Sequence, residues 1–341
     1  MPEQKTQNQG QSIGALIVII IAAIAIIAAL VIGGIKLVGG DPAPEGTSEP
    51  TSGTLDPNDT GFKTVAWPSE KPLSSYSILG GSLILPTSDY TPATKSLQTI
   101  ENRDTNGTHF LLSTTDLKID KTANKALLAM TEALNNECTF NGSLLVHTVY
   151  TTTGDVEYRS GLTVRFRLSE SGTFKYLSEA SGDNPVEWLA ENAWKFGFIL
   201  RYPAGTTIDG KEEGVRDIYR YVGIPHAYYI THELAVEGET ADGDEITPSL
   251  EDYVAAVKKA TVKQPLACNI AGLAADNGLY NMYYVPAADV DKATIRENSK
   301  IYAISGDGAG YIVTTLISYD EDKPSGEKGT EDASSTEETD A

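Results

Sequence analysis

Cysteine and histidine are scarce in this sequence: two and four among 341 residues. Cys138 and Cys268 are too few for a disulfide scaffold. Outside the cytoplasm they would be able to pair and close a long loop; the alternative is two buried free thiols. Neither cysteine has a histidine nearby in sequence, and there is no G-x-S-x-G elbow, so the familiar nucleophile arrangements are missing. The histidines are His109, His147, His226 and His232. His232-Glu233 begins like a zincin helix, but Val236 stands where the second histidine belongs. A lone helical histidine such as His226 is more often a structural hydrogen-bonder than a ligand. Basic residues are also short: 26 Lys and Arg against 47 Asp and Glu, a formal charge of −21. Such a surface repels phosphate backbones and excludes a nucleic-acid partner. There are no internal repeats.

One long apolar run is present. From Ile13 to Ile35 the chain is almost wholly Ile, Ala, Val, Leu and Gly, without a charge. About 20 such residues, at about 1.5 Å each, cross a hydrocarbon core of about 30 Å, and a signal-peptide core is shorter, about 7–15 residues. Residues 13–37 therefore read as a transmembrane helix after a tail of 1–12. Lys5 and Lys36 flank it on opposite sides, so the positive-inside rule leaves the orientation open. Residues 38–70 are rich in Gly, Pro, Ser, Thr, Asp and Glu and read as a flexible stalk. Residues 320–341 read as a disordered acidic tail.

The remainder has the patterning of an α+β fold. Ala126, Leu127, Met130, Ala133 and Leu134 have helical spacing over 122–134, with Asp120 as cap. Leu144–Thr152 alternates as a strand, and 161–168 repeats the pattern with Leu162, Val164, Phe166 and Leu168 on one face. A helix over Pro185–Phe196, opened by Asp183 or Asn184 and stopped at Gly197, leads into a strand over Phe198–Tyr202. Further helices are expected over His226–Leu234 and Ser249–Ala260, then strands over Tyr280–Val285, Ile301–Ser305 and Tyr311–Ile317. Gly306-Asp307-Gly308-Ala309-Gly310 reads as a hairpin loop, since a strand and not a helix follows it. The expected layout is one domain over 71–261, a small antiparallel sheet flanked by helices, and a small β appendage over 262–319.

The stretch from Glu187 through Trp188, Trp194, Phe196-Gly197-Phe198 and Arg201-Tyr202-Pro203 resembles the helix-and-strand segment of VanY-type D-alanyl-D-alanine carboxypeptidases. These zinc peptidases trim the terminal D-alanine of peptidoglycan stem peptides. Arg220-Tyr221-Val222-Gly223 with His226-Ala227 extends the likeness downstream. Upstream, Glu157–Phe166 resembles the family's first metal segment, S-x-H-x-x-G-x-A-x-D, with Gly161 on its glycine and Thr163 on its alanine. The likeness covers about 77–260.

The departures fall on the metal positions. The resemblance puts Tyr158 at the first zinc-binding histidine, Arg165 at the zinc-binding aspartate and Ile218 at the third ligand. Val215 stands at the catalytic glutamate and Asp217 at the tryptophan beside it. Thr151 falls on the arginine that grips the substrate carboxylate. A catalytic zinc needs about three N, O or S ligands and an open position for water. Ile218 offers none, Arg165 brings a permanent positive charge, and Tyr158 would bind only as a phenolate. The expectation is therefore an inactive relative that carries no zinc, with Arg165 paired to Asp217 or Glu157 across the old site. An active carboxypeptidase with an altered site is the alternative.

The family works outside the membrane, so the resemblance implies an extracytoplasmic domain on a single-pass anchor in a walled bacterium. Implied partners are the membrane and either stem peptides or another envelope protein. Arg165 and Arg220, within a cluster that includes Arg159, Arg167 and Arg216, are candidates to hold a carboxylate. The alternative is that these arginines offset nearby acids.

Overall fold

Short polar caps and alternating apolar residues set the elements of this chain. The computed structural model describes residues 62–64, 73–86, 96–100, 110–204, 215–238, 246–273, 277–296 and 299–318. The apolar run 13–37, most of the stalk and the acidic tail lie outside the described residues. Among the described residues no helix is long and apolar enough to cross a membrane.

The first strands are β1 (Phe62–Thr64), β2 (Leu97–Thr99), β3 (Leu111–Leu112) and β4 (Lys118–Asp120). Helix α1 (Lys121–Glu137) leads to β5 (Ser143–Thr148), β6 (Thr163–Glu170) and β7 (Thr173–Lys175). Helix α2 (Pro185–Asn192) precedes β8 (Phe198–Tyr202) and β9 (Val215–Tyr221), and α3 (Ile224–His232) and α4 (Leu250–Val257) follow. The last strands are β10 (Leu266–Ile270), β11 (Gly278–Pro286), β12 (Thr294–Arg296), β13 (Lys300–Gly306) and β14 (Gly310–Ser318).

The central sheet runs β3-β5-β6-β9-β8, with β7 on the end of β6. Its pairs are antiparallel except β3 with β5. One face of β6 presents Val164, Phe166 and Leu168, all fully buried, to Leu127, Met130 and Leu134 of α1. Asp120 caps α1, its Oδ1 accepting from the backbone N of Thr122 at 2.8 Å and of Ala123 at 3.2 Å. That contact satisfies two of the amides a helix start leaves open. Asn184 does the same for α2, accepting from Val186 N at 3.0 Å. The chain then tightens into a 3₁₀ turn and stops at Gly197, whose φ is 80°. A Cβ there would meet the Gly223 backbone at 2.9 Å, so the site needs glycine twice over.

The segment after residue 261 is not an appendage. Strands β10-β11-β14-β13 form an antiparallel sheet whose Cys268, Tyr280, Met282, Ile312 and Leu316 share one core with Ile199, Val222, Ile230, Tyr253 and Val257. Each such aliphatic or aromatic side chain contributes about 1.5–3 kcal/mol on burial, so the sheet and α3–α4 stabilise one another. The change from helical to strand texture marks a change of sheet, not of domain. Phe62–Thr64, inside the stretch read as stalk, pairs with Thr294–Arg296, because an edge pairing uses backbone groups and requires no apolar composition. Cys138 and Cys268 are free and buried in different cores.

His226 sits at the junction of α3, α4 and β14. Its Nδ1 lies 2.6 Å from Tyr253 Oη and its Nε2 lies 3.2 Å from Thr314 Oγ1. Burial lowers its pKa to about 3. The unfolded chain then binds the proton more readily than the folded one, so stability is full above about pH 6.5 and declines as pH falls towards 3. Denaturant titrations between pH 7 and 4.5 should show a loss approaching about 1.4 kcal/mol per pH unit, and His226→Gln should flatten that slope. Gly197→Ala should lose more stability than Gly154→Ala. Both residues have positive φ, costing about 1–2 kcal/mol, but a Cβ at Gly154 would meet nothing within 4 Å.

Candidate functional site

The face of the central sheet opposite α1 is charged. A 3₁₀ turn over Val156–Ser160 delivers Glu157 and Tyr158 to it. Asp155 opens the turn by accepting from Glu157 N at 3.0 Å, and Gly161 closes it at φ 69°. Glu157 is 3% exposed. Its Oε1 accepts from Thr163 Oγ1 at 2.5 Å and Arg220 Nη1 at 2.6 Å, and its Oε2 lies 2.9 Å from Arg201 Nε. Burial on its own would raise the pKa of this carboxyl, but Arg220 and Arg201 overcome that and hold it down at about 2.

Both arginines are spent on structure. Arg220, fully buried, also donates to Ser160 Oγ and to the carbonyls of Ser82 and Ile84 at 3.1, 3.2 and 2.8 Å. It grips a carboxylate, but the chain's own, which removes it as a ligand-binding candidate. Arg201 makes a two-pronged contact to Glu251 at 2.9 and 2.6 Å. The resemblance includes Arg201 in its strand segment, but the sequence assigns it no role, since Phe198–Tyr202 reads as an apolar strand. Its one signal is a charged residue inside such a strand.

The residues that the resemblance aligns with the family's metal positions lie beside this network. Arg165 on β6 is in register with Ile218 on β9. Strand β9 is irregular here: Leu200 pairs with Tyr219 but Tyr202 with Val215, so β9 carries two extra residues. Irregularities of this type re-aim side chains. Asp217 is turned so that its Oδ2 receives Arg165 Nε at 3.0 Å and Arg167 Nη1. Ile218 is buried and packs on Tyr202. Arg167 lies 4.1 Å from the Tyr176 ring centroid, in cation–π geometry. His147, half-buried, has its pKa lowered by burial and then by Arg167 and Arg165, with Asp217 opposing.

Tyr158 is buried, and burial pushes its hydroxyl well above the ordinary phenol value, so it stays protonated. The hydroxyl has no hydrogen-bond partner among the described residues. Thr151 closes a local turn, donating to the Thr153 carbonyl at 2.9 Å, and the side chains of Val215 and Arg216 lie outside the described residues.

These groups do not fit a zinc ion. At the three positions that the resemblance aligns with zinc ligands stand a protonated phenol, a guanidinium and a hydrocarbon, and Asp217, the nearby carboxylate, is engaged by two guanidiniums. Among the described residues no three His, Cys, Asp or Glu side chains are grouped to hold a metal. Of the two carboxylates named as partners for Arg165, the structure selects Asp217.

Comparison with known proteins places this arrangement. No family model matches the chain. A D-alanyl-D-alanine carboxypeptidase from Enterococcus faecium is 28% identical over 132 residues, which is 38% of this chain and 36% of that protein. The chain thus spans about a third of the length of the curated relative it matches. Among solved structures, the vancomycin-resistance D,D-dipeptidase VanXYg, crystallised with a D-Ala-D-Ala phosphinate analogue, overlaps with a TM-score of 0.50 at 19% identity. That overlap covers 70% of this chain and 95% of the other. VanYB in complex with D-Ala-D-Ala overlaps 52% of this chain and 99% of its own, at 22% identity and a TM-score of 0.34. In sequence and fold the chain is similar to the VanX/VanY-type D-Ala-D-Ala carboxypeptidases.

Glu157→Gln tests the network directly. It keeps a hydrogen-bonding side chain but leaves Arg201 and Arg220 short of one counter-charge. Breaking a buried pair in this way costs about 3–5 kcal/mol, measurable by chemical denaturation at neutral pH. The carboxylate's contribution is present above about pH 4.5 and lost as pH falls towards 2, so the variant should also lose that acid-dependent slope.

Proposed function

We propose that this chain is a carboxypeptidase-like protein without peptidase activity, with a binding or scaffolding role at the bacterial cell wall. The observation that carries the reading is the Arg165–Asp217 ion pair at the family's metal position, flanked by Ile218. A metal-activated water needs a Lewis acid and a base beside it; here a guanidinium holds the site and Val215 stands at the base position. Conservation of the surrounding fold without the ligands is consistent with a surface kept for recognition. The relative is a D-alanyl-D-alanine carboxypeptidase, which makes stem peptides or another envelope protein the reasonable partners.

The anchor belongs to the same proposal. The uncharged run within 13–37 would hold the domain at the cell membrane as a single-pass protein, with the domain outside, where peptidoglycan lies.

Two measurements on the purified protein test the proposal. Elemental analysis should find zinc well below one ion per chain, and a stem pentapeptide should release no D-alanine above buffer. Stoichiometric zinc with turnover that a chelator abolishes would overturn it and favour an active carboxypeptidase with an altered site.

A further inference from the structure

The two arginines at the former metal position do more than cancel Asp217. Arg165 meets the carboxylate edge-on through Nε, which leaves both of its Nη groups without a protein partner among the described residues. The side chain is 30% exposed, so those groups are reachable. Arg167 shares the same Oδ2 through one Nη, and Tyr176 covers one face of its guanidinium. Among the described residues, two guanidiniums against one carboxylate leave one positive charge uncompensated, in a protein of formal charge −21. The other buried carboxylate here, Glu157, is saturated by Arg201, Arg220 and Thr163.

The Tyr158 hydroxyl is a second, independent sign of a missing partner. It is 94% buried and has no hydrogen-bond partner among the described residues, against the general rule that buried polar groups are hydrogen-bonded. It lies within electrostatic reach of Arg165, Arg167, Asp217 and Glu157. Leaving such a group unpaired costs about 1–3 kcal/mol, which a ligand oxygen would recover. Paired Nη groups on a planar fork match an oxyanion with two acceptor oxygens. On the same side of the sheet, Phe174 and Tyr176 at the β7 hairpin remain exposed and flank the pair.

We infer that Arg165 and Arg167 form an oxyanion site, in which the Nη groups of Arg165 and the Tyr158 hydroxyl donate to a peptide C-terminal carboxylate or to a free phosphate. The inference rests on the metal-free reading above. It inverts the chemistry of the position: a place that in the related peptidases would hold a cation holds an anion here.

The test is calorimetric titration of the full chain, in detergent and with a chelator present, using N-acetyl-D-Ala-D-Ala, its C-terminal amide and inorganic phosphate. Binding of the free acid, with the amide at least about tenfold weaker, supports the site with a peptide carboxylate as occupant. Binding of phosphate alone supports it with a free anion. Arg165→Met should abolish binding, Arg165→Lys should retain part of it, and Tyr158→Phe should weaken it without removing it. Arg165→Lys and Tyr158→Phe keep the test open if Arg165→Met does not fold. Equal binding of acid and amide, no binding of any probe, or wild-type affinity in folded Arg165→Met would overturn the inference. Failure of the two readings is distinguishable. Bound zinc and chelator-sensitive binding overturn the metal-free reading, whereas a zinc-free protein indifferent to all three probes overturns the oxyanion site alone.

Discussion

A single buried carboxylate, Glu157, holds the two halves of the charged face together. Its partners come from β8, β9 and the start of β6, and through them it reaches Glu251 on α4 and the carbonyls of Ser82 and Ile84. Two guanidiniums between two carboxylates make a neutral set. Neutrality matters because an unpaired ion at this depth would cost several kcal/mol. The segments around Arg165 and Asp217 are thus tied to a network held by ion pairs. The fold keeps its shape there by ion pairing, with the apolar cores on either side excluding water from it.

This division separates structural arginines from available ones. Arg201 and Arg220 are 2% and 0% exposed and face carboxylates in the interior. Arg165 and Arg167 lie further out on β6, share one oxygen, and keep donors in reserve. A count of arginines along the sequence cannot make that distinction. The register of β6 against β9 makes it, by placing Thr163 opposite Arg220 and Arg165 opposite Ile218.

Legibility in the sequence followed the range of the interaction. Asp120 was readable as a cap, and Asn184 as one of two candidates with Asp183, because cap partners lie two or three residues away. The β6 core face was readable because strand alternation has period two. The likeness to the carboxypeptidases drew attention to Tyr158, Arg165, Asp217 and Ile218, and charge logic offered Asp217 or Glu157 as partner of Arg165, of which Asp217 is the one paired. Arg201 was not legible: its partner Glu251 is 50 residues away, on a helix packed against the strand only in the folded chain. Nor was the joining of the second sheet to the first half, since the core it shares draws Leu83 and Leu316 from opposite ends of the described chain. Arg220 misled for the same reason, because its carboxylate partner is supplied from within.

The residues around Arg165 depend on one another. A guanidinium at position 165 opposes a divalent cation by charge, but it also needs a carboxylate of its own, which Asp217 supplies. Asp217 can do so because the extra residues in β9 turn it towards β6. Ile218 then fills space against Tyr202, where an imidazole would otherwise need a polar partner. A change at one of these positions alone would therefore disturb a satisfied arrangement. An aspartate at position 165 would face Asp217 with Arg167 as the remaining shared cation, and an imidazole at 218 would displace a buried apolar contact. The present residues form a set, stable as they stand, whose surplus of charge is positive and whose open donors point to an anion.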